Sequence, residues 1–281
     1  MGIAVVNIIS NTIGFGINSY GLLTGTSKLR LTFRGYRLDF PLMGRMVTLG
    51  LPASVTQAER ALAQLFVIGM VATYGDVALA AWALARRIEA AATMASQGLG
   101  NATGVISGQN IGAGQPERGR QTLYWAVGYI LALNGILGTL ILLFPASFIS
   151  LFNPEPELLE VGTVWLRILA VGFLFLGPAN IFQQTFQISG DTLMPMLTVL
   201  ATVWLLEIPM AAILSGLAPT WSFFGQTLPL PAVTGLGQFG IAWAISLGVG
   251  TRLFFYVPYF IWGPWAEKRL FGEAEELQPR P

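Results

Sequence analysis

The sequence predicts an all-α integral membrane protein with seven transmembrane helices, and three observations carry that reading. Apolar residues make up 54% of the 281 and charged ones only 10%, too little polar surface to cover a soluble globule of this size. Crossing a bilayer core of roughly 30 Å takes about 20 apolar helical residues, and seven segments reach that length: Ile3 to Gly25, Met46 to Tyr74, Val77 to Ser107, Gln121 to Phe144, Leu158 to Ile188, Leu193 to Leu217 and Gly240 to Trp262. Runs of about ten residues with alternating hydrophobicity, the mark of a membrane barrel, do not occur, so the spans read as helices.

Taken in order, the first span lacks a basic stretch ahead of it and reads as a retained helix, not a cleaved signal. Lys28, Arg30, Arg34, Arg37 and Arg45 crowd the connection after it, Arg118 and Arg120 follow the third span, and Lys268, Arg269 and Arg280 follow the seventh. These basic segments belong on the cytoplasmic side. The opposite connections carry Asp76, then Glu155, Glu157 and Glu160, then the uncharged stretch from Leu217 to Phe239. A cytoplasmic C-terminus after seven spans puts the N-terminus outside, although the chain opens directly into a helix. A short internal repeat accounts for this: Gly2-Ile3-Ala4 opens the first span and Gly240-Ile241-Ala242 the last, and Gly25 and Gly263 close them 23 residues on. The expected organisation is a terminal helix of a preceding lobe (1–27), a basic cytoplasmic linker (28–45), a six-helix lobe (46–265) and a cytoplasmic tail (266–281).

Gly98 to Arg120, GLGNATGVISGQNIGAGQPERGR, joins the third and fourth spans. It resembles the loop after the second helix of the C-terminal lobe in multidrug and toxic compound extrusion (MATE) transporters, with Gly108, Gln109, Asn110, Gly112, Ala113, Gly114, Pro116, Glu117 and Arg118 fitting the pattern. Asn180 to Leu214 resembles the fourth and fifth helices of a MATE lobe, with Ser189-Gly190-Asp191-Thr192 as their cytoplasmic turn and Ile208-Pro209 as a helix kink. Gly240 to Gly263 resembles the sixth. The resemblance implies a C-terminal lobe, preceded by the last helix of an N-terminal lobe, in the cell (inner) membrane.

Ionisable groups within the spans carry the chemistry, because a charge at the bilayer centre costs about 2.5–3.5 kcal/mol on insertion scales and needs a partner or a wet cavity. They are Glu59, Arg60, Arg86, Arg87, Glu89, Arg167, Glu207 and Arg252. Arg86 and Glu89 stand three apart, the spacing of a local ion pair. Glu89, Thr93, Gln97 and Asn101 recur every fourth residue and form a polar stripe, either a cavity wall or an interhelical hydrogen-bonding face. Asn180, Gln183, Gln184 and Gln187 form a second polar face, placed near the cytoplasmic end and read as interfacial. Glu59 lies near the position where one MATE branch keeps a cation-coupling glutamate, with Arg60 beside it as a departure from that pattern. Glu207 precedes Pro209, which leaves a backbone carbonyl unpaired; an ion site or a pairing with Arg252 or Arg167 are equally open. Trp221, Trp262 and Trp265 fit an interfacial belt.

The chain has no cysteine and no histidine, so coupling to a cation must use carboxylates. No cofactor is expected beyond H⁺ or Na⁺ as coupling ion. Nucleotide-binding, metal-helix and nucleophile-elbow motifs are missing, which argues against an enzyme, and the scattered basic residues form no nucleic-acid patch. Asn101-Ala102-Thr103 matches a glycosylation tripeptide but sits in a helix. The resemblance implies a secondary antiporter exporting organic or cationic compounds in exchange for H⁺ or Na⁺. Two alternatives stand beside it. One is a lipid-linked sugar flippase of the same superfamily, with Arg60, Arg86, Arg87, Arg167 and Arg252 lining its path; the other is a transport-inactive half-protein that binds a partner lobe. Membrane lipid, a small organic substrate, and an N-terminal lobe or a second copy are the expected partners.

Overall fold

The computed structural model describes residues 2–24, 39–217, 222–223, 226–227 and 235–266. The chain divides into two compact units, Met1–Met46 and Val47–Pro281. Most of the basic linker (Lys28, Arg30, Arg34, Arg37), Gly25, Trp221 and the tail with Lys268, Arg269 and Arg280 lie outside the described residues.

The first unit contains α1 (Gly2–Thr24) and the start of α2 (Phe40–Ala72). Apolar side chains such as Ile8, Phe15 and Ile17 are exposed on α1, and Thr12, Asn18 and Thr24 fold back onto the helix. Thr12 donates to the Ile8 carbonyl at 2.7 Å and Asn18 to the Gly14 carbonyl at 3.0 Å, so Asn18 is satisfied by its own helix. Asp39 accepts from the Leu42 N–H at 3.0 Å, capping the start of α2.

The second unit holds the rest of α2, then α3 (Asp76–Gly112), α4 (Pro116–Leu143), a short α5 (Pro145–Ser150), α6 (Pro156–Ile188), α7 (Leu193–Thr202), a π segment (Val203–Glu207), α8 (Ile208–Ser215) and α9 (Gln238–Trp262). Each expected span coincides with a helix, the sixth being the continuous run of α7, π segment and α8. By length and hydropathy, α4, α6, α7 to α8, and α9 are apolar enough to cross a membrane; α2 and α3 carry charged residues that lower their average. Two features were not anticipated, α5 and a two-residue antiparallel pair, Ser222–Phe223 with Gln226–Thr227.

The helices also run further than hydropathy alone indicates, and this corrects the picture of an open glycine-rich loop after the third span. α3 continues to Gly112 and α4 begins at Pro116, so Gly108, Gln109, Asn110 and Arg118 are helical. Gly114, at φ 74°, takes the left-handed position that ends a helix, with its N–H on the Ile111 carbonyl and the Gln115 N–H on the Asn110 carbonyl at 2.8 Å. Pro116 then starts α4, where its missing N–H loses nothing. Ser107 closes the joint by donating to the Gly119 carbonyl at 3.0 Å. The turn after α6 repeats the device with Gly190 at φ 96° and the Asp191 N–H on the Phe186 carbonyl at 2.8 Å.

Helix α6 is the hub of the lobe and packs on α3, α4 and α9. It buries Trp165, Leu166, Leu169 and Phe173, as a helix apolar on all sides should. Small residues bring its neighbours close: a Cβ on Gly172 would lie 2.8 Å from the Ser246 hydroxyl of α9, and one on Gly177 would lie 2.5 Å from the Asn134 amide of α4. Polar contacts seal the same seams, Ser246 donating to the Ile168 carbonyl at 3.2 Å and Asn134 to the Phe173 carbonyl at 2.9 Å. At the far end of α9, the Tyr259 hydroxyl donates to Asp191, holding the turn between α6 and α7 against α9.

Candidate functional site

Six elements line a cavity of about 200 Å³. Helix α2 contributes Glu59, Arg60 and Gln64; α3 contributes Trp82, Arg86, Glu89, Thr93 and Gln97; α6 contributes Leu176 and Asn180. Val199 of α7 precedes Val203 and Glu207 of the π segment, and α9 adds Ile245, Val249 and Arg252. Spacings of three to four residues recur in α2, α3, α6, α9 and the continuous run from α7 into the π segment, as one face of a helix requires.

Two ion pairs cross this cavity wall. Arg86 Nη1 donates to both Glu89 oxygens at 2.7 and 2.6 Å, the local pair that the spacing allowed. Arg252 Nη2 donates to Glu207 Oε2 at 3.2 Å, and both side chains are nearly buried. Glu207 therefore pairs with Arg252, not Arg167, which is exposed and away from the lining. Gly248 makes room for this pair, because a Cβ there would stand 2.9 Å from Glu207 Cβ, Cγ and Oε2.

Pro209 has no N–H to offer the carbonyl four residues back, and the helix is irregular just ahead of it. The Ile208 N–H bonds to the Val203 carbonyl, five residues back, and this widened turn carries Glu207. Such π turns are frequent at functional sites.

Glu59 is 4% exposed, and among the described residues its Oε1 has no hydrogen-bond partner. The indole Nε1 of Trp82 and the Nε of Arg252 are buried and unpartnered in the same way. Neither Glu59 nor Arg60 has an ion-pair partner among the described residues. No group of three or more acidic side chains able to hold a metal ion occurs among the described residues.

Of the candidate residues, Glu59, Glu89, Gln97 and Glu207 line the cavity and Asn101 does not. Each helical residue turns about 100°, so twelve residues from Glu89 to Asn101 rotate the stripe about 120° off its starting face. Arg87 also leaves the group, its guanidinium lying 5.9 Å from the Phe152 ring centre. Asn180, read as interfacial, is buried and lines the cavity, and Gln183 is buried too. The loop-motif residues Gly108, Gln109, Asn110, Gly112, Gly114 and Arg118 lie outside the lining; Arg118 donates to Gln115 Oε1 at 3.0 Å within the turn. Val199, Val203, Ile245 and Val249 carried no signal in the sequence, because apolar cavity walls look like any other buried helix face.

The family model MatE matches residues 52–213, more than half of the chain. The chain belongs to the MATE family. Among curated proteins it is similar to the probable multidrug resistance protein YoeA of Bacillus subtilis (strain 168), 31% identical over 185 residues, which are 66% of this chain and 40% of that protein. The multidrug resistance protein NorM of Burkholderia vietnamiensis is 26% identical over 239 residues, 82% of this chain and 47% of NorM. An FAD transporter of Shewanella oneidensis is 26% identical over 162 residues, 58% of this chain and 36% of that protein. The chain thus spans less than half the length of these relatives. A crystal structure of MATE in complex with MaL6 shares the fold at a TM-score of 0.79 and 19% identity, over 93% of this chain and 55% of that one. An outward-facing MATE transporter of the MOP superfamily gives 0.78 over the same shares. The MATE chain described here is a multi-pass membrane protein with an all-α transporter-lobe fold.

Proposed function

We propose that this MATE lobe is half of a secondary antiporter in the cell membrane that exports organic compounds, cationic ones included, in exchange for H⁺ or Na⁺. The observation that carries the reading is the buried Glu59, its Oε1 unpartnered in a cavity walled by membrane-length helices. A carboxylate so placed takes up a proton or a monovalent cation when the path opens to one side and releases it when the path opens to the other. Relatives named as multidrug resistance proteins support the substrate class. The basic asymmetry of the connections supports a cytoplasmic C-terminus.

The flippase alternative loses ground on the same geometry. Arg87 and Arg167 stand away from the lining, and Arg86 and Arg252 are already paired with glutamates, so of the five arginines only Arg60 brings an unpaired positive charge to the cavity. A second lobe is part of the proposal, because about 200 Å³ is less than the roughly 300–1,000 Å³ of a typical small-molecule site. That lobe is an N-terminal one, upstream or on a separate chain, or a second copy of this lobe.

Proteoliposomes loaded with a fluorescent organic cation, under an imposed H⁺ or Na⁺ gradient, test this. Gradient-driven dye movement by the chain joined to an N-terminal lobe, lost in E59Q, is the expected result. Movement independent of both gradients would overturn the antiporter reading, and full movement by a demonstrated monomer of residues 1–281 would overturn the need for a second lobe.

A further inference from the structure

Away from the cavity, α4 carries the marks of both membrane boundaries. Tyr124, Trp125 and Tyr129 are exposed on it, Tyr124 and Trp125 meeting edge to face at 5.9 Å, and exposed rings with polar tips collect at the interface between water and lipid. From Trp125 the helix runs on to Leu143, about 27 Å at 1.5 Å per residue, which is close to the roughly 30 Å of a hydrocarbon core. The short α5 and the turn into α6 therefore lie at the opposite boundary. Leu143, Phe144, Leu151 and Phe152 are exposed there, an apolar edge that suits acyl chains.

Arg87 of α3 reaches that edge, its guanidinium 5.9 Å from the Phe152 ring centre. Around it the helix face is fit for lipid, because Ala83, Ala90 and Met94, at spacings of three to four residues, are exposed and apolar. Arg87 is exposed too, and it has no ion pair among the described residues. Glu89, the carboxylate nearest in sequence, is held at both oxygens by Arg86. Glu155, Glu157 and Glu160, where α6 begins, are exposed to water, and none of them pairs with Arg87.

A guanidinium beside hydrocarbon needs a counter-charge or water, and its stem can lie on apolar surface while the head reaches the interface. Phe152 steadies the head by cation–π attraction. Its planar fork of N–H donors has no acceptor among the described residues, and that fork matches the oxygens of a phosphate. We propose that Arg87 and the apolar edge at α5 form a binding site for an anionic phospholipid of the phosphatidylglycerol type, the phosphodiester on Arg87 and the acyl chains against Leu143, Phe144 and Leu151. A head group with one net negative charge neutralises this one unpaired cation, whereas a zwitterionic head group brings an ammonium along with its phosphate. The site stands apart from the cavity and does not depend on what the cavity carries.

The chain has no cysteine, so Ser147→Cys, on the exposed side of α5, takes a single bimane label. The labelled chain is reconstituted in phosphatidylcholine bilayers with increasing shares of a dibrominated lipid, and quenching gives the relative affinity of each lipid for this place on the protein. Dibrominated phosphatidylglycerol should be preferred to dibrominated phosphatidylcholine roughly fivefold, as one arginine near an anionic head group provides. R87Q should bring the ratio to about one, R87K should keep most of the preference because it keeps the charge, and R118Q in the turn after α3 should leave it unchanged. No preference in the labelled parent, a preference that survives R87Q, or one lost equally in R87K overturns the proposal. Dibrominated phosphatidylethanolamine quenching as well as phosphatidylglycerol overturns the choice of an anionic head group. Relief of quenching by added glycerol 1-phosphate overturns the lipid assignment in favour of a free phosphate site.

Discussion

Replacing Arg252 with methionine keeps much of the side-chain volume and strips Glu207 of its counter-charge. The pair is nearly buried, its side chains 12% and 10% exposed, and losing one partner of a buried pair costs about 3–5 kcal/mol because the other becomes an uncompensated charge. Glu207 has little recourse. Arg86 is bonded to both oxygens of Glu89, and Gly248 lies against Glu207 too closely for it to swing toward α9. At about 2–4 °C per kcal/mol for a unit of 150–250 residues, the Tm of R252M should fall by roughly 6–20 °C. Thermal unfolding of the purified chain in one fixed detergent, followed by circular dichroism, measures this. The double variant E207M/R252M should recover most of the loss, since replacing both partners by apolar groups of similar volume is often neutral or stabilising. A double variant no more stable than R252M, or an R252M within about 2 °C of the parent, would refute the reasoning.

Gly248→Val should lower stability by about 1–3 kcal/mol through overpacking against Glu207, read by the same melt, and less so in the E207A background, where the obstruction is gone. Tyr259→Phe removes the bond to Asp191 and should cost about 1–3 kcal/mol, with faster hydrogen exchange confined to the turn between α6 and α7. Gln97→Leu, on the cavity face of α3, should change the dye profile of reconstituted protein while moving Tm by less than about 2 °C. For orientation, a cysteine at Gln115 should be shielded from an impermeant thiol reagent in intact cells and one at Glu157 should react; the opposite pattern overturns the cytoplasmic assignment of the turn after α3.

The spans were legible because bilayer thickness sets their length, and the Arg86–Glu89 pair because three residues on a helix bring its ends together. The partner of Glu207 was not legible. Arg252 lies on another helix 45 residues away in sequence, and nothing local separates it from Arg167. Asn101 was placed on the cavity face by a four-residue repeat that drifts from the true helical period, and only the length of α3 reveals the drift. Asn180 was misplaced because nearness to a helix end was taken for contact with the interface: the expected span and α6 both end at Ile188, and two turns before that end the side chain is buried on the cavity face. The glycines of the turn after α3 were conspicuous as a motif, but their role, closing one helix so that the next can start three residues later, depends on backbone angles that composition does not report.

The widened turn at Val203–Glu207 makes the electrostatics of this lobe depend on residue count as much as on residue identity. A helix can lose one residue within such a turn and return to regular α geometry with little penalty to its own backbone, but every side chain beyond the deletion then swings by about 100° and retreats by about 1.5 Å. Deleting Leu205 or Leu206 would leave every charged residue of the cavity in the chain. Glu207 would nevertheless leave Arg252, and two helices that still pack on their neighbours would enclose a cavity with a second unpaired cation, beside Arg60, in its wall. A one-codon deletion in this segment would therefore change the charge of the path without substituting any residue that lines it.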